Sequence, residues 1–135
     1  MTDRQTRGQR NLNPLNIRKG DNWQGLAAEQ TDKEFCVFSH PSYGFRAACK
    51  ILQKYERRGV VTIAGIISRW APPSENDTNA YIAAVCKTMK AHPSDKVWPH
   101  DKTATCKLLH AMALVESGSW EKESIDLGYD MAQYS

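Results

Sequence analysis

The segment KTATCKLLHAMALVES, residues 102–117, decides the fold class of this 135-residue chain. Asp101 stands where a helix N-cap is expected, and Gly118 follows where a helix commonly ends. Between them, large apolar residues leave little polar surface on the helix: Leu108, Leu109, Met112, Ala113 and Val115. A helix of this kind has to be covered by the rest of the chain. The segment therefore predicts a helical domain in which this helix is buried.

Four other segments carry helical spacing or helix-ending signals, and they lie at residues 41–59, 62–73, 74–93 and 121–133. In the first, apolar residues recur every three or four positions and Gly59 stands at the expected C-terminal cap. Thr62 is the predicted N-cap of the second segment, and either Asp77 or Thr78 that of the third. Prolines follow both of these segments and stop them. The predicted fold class is therefore mainly α.

A small β element is expected before the first long helix. Residues 10–25 are loop-like and rich in Asn and Gly. Residues 23–39 are predicted to form a hairpin, in which a polar turn at residues 31–34 joins two short strands. The strand formers are Phe35, Val37 and Phe38.

Length, composition and charge favour a single globular domain. The chain is 41% hydrophobic and 24% charged, which is ordinary for a folded protein, and its net charge is only +3. Basic residues are concentrated near the start. We therefore expect residues 1–10 to form a flexible basic arm and residues 11–135 to form one domain. Such an arm is either a solvated tail or a contact for an anionic partner.

The sequence also indicates that the chain has no membrane-spanning helix or signal peptide and that its cysteines form no zinc site. No apolar stretch approaches the roughly 20 residues that a membrane-spanning helix needs. The Arg-rich start lacks the apolar segment of a secretory signal, so synthesis in the cytoplasm without a signal peptide is expected. The cysteines form no CxxC pair, which disfavours a zinc site: Cys36, Cys49, Cys86 and Cys106. They are expected to be buried or half-buried thiols, with a disulfide as the alternative in an oxidising compartment.

Glu116 is the first candidate for chemistry. It ends an apolar helix, immediately before Ser117 and Gly118. A partly desolvated carboxyl has a raised pKa, which is what a general acid working near neutral pH requires. The alternative is a surface glutamate at a helix C-terminus, where the helix dipole slightly disfavours a negative charge.

A second candidate group lies in the stretch ENDTNAYIAAV, residues 75–85. Thr78 and Tyr81 share one face of the predicted helix, and the preceding Pro-Pro turn presents Glu75 in a rigid loop. The alternative is that Tyr81 is a core residue and that Thr78 or its neighbour only caps the helix. A third group, Asn13, Asn16 and Trp23, can contact sugar hydroxyls and stack on sugar rings, or else hold an irregular loop and fill the core.

These residues resemble the lytic transglycosylases and related lysozyme-like muramidases, which cleave bacterial peptidoglycan. VESG, residues 115–118, is similar to the Glu-Ser pair that ends an apolar helix in that family. DTNAYIAAV, residues 77–85, is similar to its E-T-x-x-Y-V-x-x-V motif. The resemblance implies that Glu116 is the single catalytic acid and base and that Tyr81 lies near it. Because the two motifs occur in reversed order, it also implies a circularly permuted lysozyme-like fold.

The chemistry implied by this resemblance is cleavage of the β-1,4 bond between N-acetylmuramic acid and N-acetylglucosamine. A transglycosylase needs no second carboxylate, whereas a hydrolase needs an activated water, for which Glu75 is the second candidate. The residues expected to bind the glycan are Asn13, Asn16, Trp23, Thr78, Tyr81 and Ser117. The resemblance implies no metal and no organic cofactor.

A second resemblance spans nearly the whole chain, from Asn11 to Met131. The NLNPLNIR opening, the YGFRAACKILQKY helix, the WAPPSENDTNAYI segment and the acid before Ser-Gly are similar to small phage proteins described as structural or virion-associated. Together, the two resemblances imply action at the bacterial cell wall or periplasm, with the protein packaged in a virion beside other virion proteins or released free. A non-enzymatic virion or cell-wall-binding protein is the alternative function. A nucleic-acid-binding protein is a third, and the acidic C-terminal segment argues against it.

Overall fold

The computed structural model describes residues 5–134, and the helical prediction is confirmed there. The helices are α1 (Arg7–Arg10), α2 (Pro41–Arg57), α3 (Ile63–Trp70), α4 (Thr78–Met89), α5 (Lys102–Glu116) and α6 (Lys122–Gln133). Within these residues no helix has the length and apolar character needed to cross a membrane.

Local capping chemistry explains where three of these helices begin. The side chains of Thr62, Asp77 and Asp101 each accept a hydrogen bond from the backbone N–H three residues further on, at 3.0–3.1 Å. Each bond satisfies a helix N-terminal donor that has no partner inside the helix. The predicted caps of α3 and α5 are confirmed, and for α4 the cap is Asp77 and not Thr78.

Helix α5 lies at the centre of the core, as its composition predicts. Leu108, Leu109 and Met112 are completely buried, and α4 and α6 pack on this helix. The most extensive contact between helices joins α2 to α6. Val115 differs from the expectation, because it is 42% exposed and belongs to the outer face of α5.

The predicted hairpin over residues 23–39 is reduced to one isolated antiparallel bridge, Leu26 with Phe38, and a second bridge joins Phe35 to Arg18, which lies before the predicted hairpin. Side chains take over the hydrogen bonds that a strand ladder would make. Asp32 accepts from the backbone N–H groups of residues 34 and 35. Gln30 accepts from the backbone N–H of residue 37 and donates to two backbone carbonyls. Local side-chain bonds of this kind compete with regular pairing.

The start of the chain differs from the flexible arm expected over residues 1–10. Residues 1–4 lie outside the described part, but residues 7–10 form α1, which begins at a capping box made by Thr6 and Gln9. Arg7 holds α1 on the domain through two hydrogen bonds of 2.7 Å to Asp32. A paired Arg–carboxylate contact has more geometric specificity than a single surface ion pair. The folded part of the chain therefore includes at least part of the expected arm.

All four cysteines are free, and Cys36, Cys49 and Cys86 are buried. Burial raises the pKa of the Cys49 thiol to about 12 and that of the half-buried Cys106 thiol to about 11. Thiols with such values are almost fully protonated at neutral pH and are poor nucleophiles. Their expected role as buried apolar groups is confirmed.

We expect Asp32→Asn to lower the thermal stability at pH 7. The hydrogen bonds from Arg7, from Asn11 and from the backbone hold the pKa of Asp32 well below its usual range. A depressed pKa contributes stability above the pKa of the unfolded carboxyl, about 4, and this contribution is lost as the pH falls below it. The difference in Tm between wild type and variant should therefore narrow from pH 7 to pH 2, as followed by circular dichroism. Asp130→Asn, which removes an exposed ion pair, is the control. A pH-independent difference would contradict the prediction.

Candidate active site

A cleft of about 310 Å³ opens at the C-terminal end of α5. Its walls come from the loop between α1 and α2, from α2, and from the end of α3 with the loop that follows it. The lining residues are Asn16, Ile17, Arg18, Asp21, Trp23, Phe35, Ile51, Tyr55, Trp70, Ala71, Glu75, Asn76 and Glu116. Aromatic side chains with a few polar groups are typical of small-molecule and sugar sites.

Glu116 is the last residue of α5, and its carboxylate is held from two sides. The Tyr81 hydroxyl donates to Oε2 at 3.1 Å, and the Asn16 amide donates to Oε1 at 3.2 Å. The same Asn16 nitrogen lies 3.1 Å from the Glu116 carbonyl oxygen. The structure therefore brings together the two residues that the transglycosylase resemblance placed side by side.

Burial raises the pKa of Glu116 above its ordinary value. The donors Asn16, Tyr81 and Trp70 and the positive charge of Arg18 lower it, but they do not offset the desolvation. The carboxyl thus stays protonated to a higher pH than an exposed glutamate does. Burial, together with the nearby Glu116 charge, raises the pKa of Tyr81, so its phenol remains a donor at neutral pH.

Asn16 reaches Glu116 because its backbone is in the left-handed region, with φ +51°. Asn tolerates this conformation better than most residues do. Its side-chain nitrogen is committed to Glu116, although the residue also lines the cleft. Asn16 therefore positions the acid, which is a different role from the direct sugar contact expected from the sequence.

Ser117 does not contact the cleft and is corrected as a glycan-binding residue. It is buried, and its hydroxyl donates to the Pro14 carbonyl at 2.7 Å and accepts from the Trp120 indole at 2.8 Å. Its carbonyl accepts from Thr6 at 2.8 Å. A Cβ at Gly8 would lie 2.6 Å from the Ser117 Cβ, so only glycine lets α1 rest on this turn. These contacts fix the end of α5 and, with it, Glu116.

Asn13 and Thr78 were also expected to bind the glycan, and this expectation is corrected because both side chains are buried and bonded to the backbone. Asn13 is completely buried, donates to the carbonyls of Ile17 and Cys36, and accepts from the Ile17 N–H. Thr78 is buried and donates to the carbonyl of Ala71, which joins the start of α4 to the end of α3. Polar side chains that are buried and bonded in this way hold the backbone, and neither residue lines the cleft.

Trp23 and Glu75, both predicted site residues, line the cleft. Glu75 is exposed on the loop after α3, so a second carboxylate faces the same cleft as Glu116. Asp77 instead caps α4. Trp70 also lines the cleft, and its indole is one of the hydrogen-bond donors that lower the pKa of Glu116. No group of three or more His, Cys, Asp or Glu suited to a metal ion occurs within residues 5–134.

Several cleft residues were not predicted as site residues, notably Arg18, Phe35, Ile51 and Tyr55. Ile51 and Tyr55 follow the apolar spacing of the segment that forms α2, and such spacing indicates a core face and not a binding site. They lie at the edge of that core, where the cleft begins. Arg18 stacks over the Phe35 ring at 4.9 Å, a pairing across 17 residues that has no local sequence signal.

We expect Tyr81→Phe to raise the pKa of Glu116 further, because a donor to the charged carboxylate is lost. The variant keeps the ring and removes only the hydroxyl. Titration of the Glu116 side-chain carbon by NMR measures the shift. Tyr55→Phe is the matched control, since Tyr55 lines the same cleft and makes no hydrogen bond to Glu116 within residues 5–134. An unchanged titration in Tyr81→Phe would show that the hydroxyl does not act on the acid.

Comparison with known proteins identifies a phage relative. No family model matches the chain. Protein P5 of Pseudoalteromonas phage PM2 is 36% identical over 135 residues, an alignment that covers 95% of this chain and 82% of that protein. The expected similarity to a phage protein is confirmed, and the likeness to lytic transglycosylases stays a prediction. The extent and identity of the match show that the chain belongs to the same family as Protein P5 of phage PM2.

Proposed function

We propose that the protein is a virion-associated glycosidase that cuts the glycan strands of bacterial peptidoglycan, with Glu116 as general acid and base. One observation carries the proposal: a carboxyl with a raised pKa lies in an aromatic cleft and is held by Tyr81 and Asn16. Perturbed titratable groups in clefts are characteristic of catalytic sites. The family relationship to a phage protein supports packaging in a virion. Action at the host cell wall or periplasm is part of the proposal and follows from the proposed substrate.

In the first step of the proposed reaction, protonated Glu116 donates its proton to the glycosidic oxygen. The bond from that oxygen to C1 of the muramyl residue breaks as positive charge develops on C1. Tyr81 and Asn16 stabilise the carboxylate that Glu116 becomes, since both donate to its oxygens. Trp23 and Trp70 offer ring faces on which the sugars stack.

In the second step, the 6-hydroxyl of the same muramyl residue attacks C1, and Glu116 accepts its proton. A 1,6-anhydro sugar forms, and the acid is regenerated. This route needs only one carboxylate. In the hydrolytic alternative, water attacks C1, and Glu75 is the proposed group that activates it; it is one of the two carboxylates, with Asp21, that line the cleft besides Glu116.

A second candidate function is that of a non-enzymatic virion component or cell-wall-binding protein. The observation that favours it is the comparison itself, because the relative is named only as a numbered phage protein and its name states no activity. This function predicts binding to peptidoglycan without release of products.

Digestion of purified sacculi by the protein, with mass analysis of the released muropeptides, tests the proposal. Anhydro products are expected. Products with reducing ends would indicate hydrolysis and make Glu75 the second catalytic group. Binding to sacculi without any released product would contradict the enzymatic proposal and support the non-enzymatic one.

A further inference from the structure

A second groove, of about 450 Å³, adjoins the cleft. Trp23 lines both, so the two lie on either side of, or next to, this one side chain. The groove is lined by Asn22, Trp23, Gln24, Arg46, Lys50, Lys54 and Arg57. Four of these residues are basic and none is acidic. A groove lined by charges of one sign attracts ligands of the opposite sign.

The basic residues belong to one row on α2. Their spacing of four, four and three residues places them on the same side of the helix, beside the residues that α2 contributes to the cleft. At one end of the row, Arg46 is buried, and Lys50 approaches the Ala132 carbonyl at 3.5 Å. At the other end, Lys54 and Arg57 are exposed, and neither forms an ion pair within residues 5–134.

We propose that this groove binds the carboxylates of the peptide stems attached to the muramyl residues of the strand in the cleft, with Lys54 and Arg57 as the principal cations. The inference rests on the proposed function and specifies its substrate as peptide-bearing glycan. A glycan backbone without its peptides carries fewer carboxylates that would pair with a row of cations. The stem leaves the strand at the muramyl lactyl group and carries free carboxylates, so a basic surface next to the glycan site attracts it.

The charges around the groove disfavour nucleic acid as the ligand. Asp21 and Glu75 line the adjoining cleft, and their carboxylates would repel a phosphate backbone that passed along both. A duplex also presents closely spaced phosphates and is normally bound by many cations. Two exposed cations at one end of a small groove suit one or two carboxylates better.

The test measures binding by the Glu116→Gln protein, so that the ligand is not cut. The ligands are a peptidoglycan tetrasaccharide with tetrapeptide stems and the same tetrasaccharide without them. We expect the stems to tighten binding about three- to tenfold at low salt, as two exposed charge pairs can. Adding Lys54→Gln and Arg57→Gln together should remove this gain and leave the affinity for the peptide-free ligand unchanged. Lys87→Gln with Lys90→Gln, on exposed residues outside both grooves, is the charge-matched control.

The outcomes separate this inference from the proposed function. Equal binding of the two ligands, or a stem gain that survives Lys54→Gln with Arg57→Gln, overturns the inference alone. A stem gain that depends on these two residues, with no cleavage by the wild-type protein, overturns the enzymatic proposal and supports the groove. Binding of neither ligand overturns both. Loss of DNA duplex affinity in the double variant, with stem binding unchanged, would make the groove a nucleic-acid site and overturn the inference.

Discussion

Glu116→Gln is expected to lower glycan cleavage by about 10²- to 10⁴-fold, the usual contribution of a general acid. Glutamine keeps the volume of the side chain and retains an oxygen that can accept from Tyr81 or Asn16. It cannot deliver a proton to the leaving oxygen. The loss should therefore appear in kcat, measured as the rate of muropeptide release from sacculi, and not in the affinity for the strand.

The same variant should be at least as stable as the wild type at neutral pH. The folded pKa of Glu116 is raised above the unfolded value, so in the wild type stability is lost as the pH rises through this interval. Glutamine has no charge to bury and escapes this loss. Thermal unfolding should show equal Tm values near pH 4 and a higher Tm for the variant at pH 7. A lower Tm at pH 7 would mean that the activity loss reports damage to the fold.

Glu75→Gln is the matched control for the activity measurement, because Glu75 is the second glutamate in the cleft. If cleavage is of the transglycosylase type, this variant keeps most of its activity. If it is inactive while Glu116→Gln remains active, the acid must be reassigned to Glu75. If both are inactive and the wild-type products have reducing ends, the enzyme is a hydrolase with two carboxylates.

The parts of the fold that the sequence predicts are those determined by local chemistry. A helix cap needs one side chain and a backbone N–H three residues away, so Thr62 and Asp101 are recognisable from the sequence alone. The burial of α5 follows from its own composition. The proximity of Tyr81 and Glu116, 35 positions apart, could be predicted only through the resemblance to a known family.

The features that the sequence does not predict depend on contacts between distant segments. Asn13 and Ser117 have side chains that can hydrogen-bond a sugar. In the folded protein, however, both side chains donate to backbone carbonyl groups instead. The role of α1 depends on Asp32, which is 25 positions from Arg7. The hairpin is limited to one bridge because Gln30 and Asp32 take over backbone hydrogen bonds. In each case, a polar residue typical of loops or sites has a structural partner that is remote in sequence or hidden in a turn.

Gly128→Ala is expected to cause a large loss of stability for a conservative change inside a helix. Gly128 lies in α6 where this helix crosses α2, the most extensive helix contact of the fold. A Cβ at this position would lie 2.6 Å from the carbonyl oxygen of Ser42, 2.6 Å from the Cβ of Phe45 and 2.9 Å from the backbone nitrogen of Arg46. Two of these atoms are backbone, so no side-chain rotation relieves the clash. The two helices would have to separate.

The sign of the effect makes this prediction sharp. At an open helix position, Gly→Ala stabilises a protein by about 1 kcal/mol, because alanine has the higher helix propensity. At Gly128 the overpacking cost of about 1–3 kcal/mol or more has to exceed that gain, and we expect a net loss of stability in urea unfolding. Ala83→Gly, at an exposed position in α4, is the reference: it should cost about 1 kcal/mol through propensity alone. A different outcome would be a gain in the free energy of unfolding for Gly128→Ala that equals the loss for Ala83→Gly. In that case α2 and α6 are not in backbone contact at Gly128. Helix α2, which carries Ile51 and Tyr55 into the cleft, would then be held by other contacts.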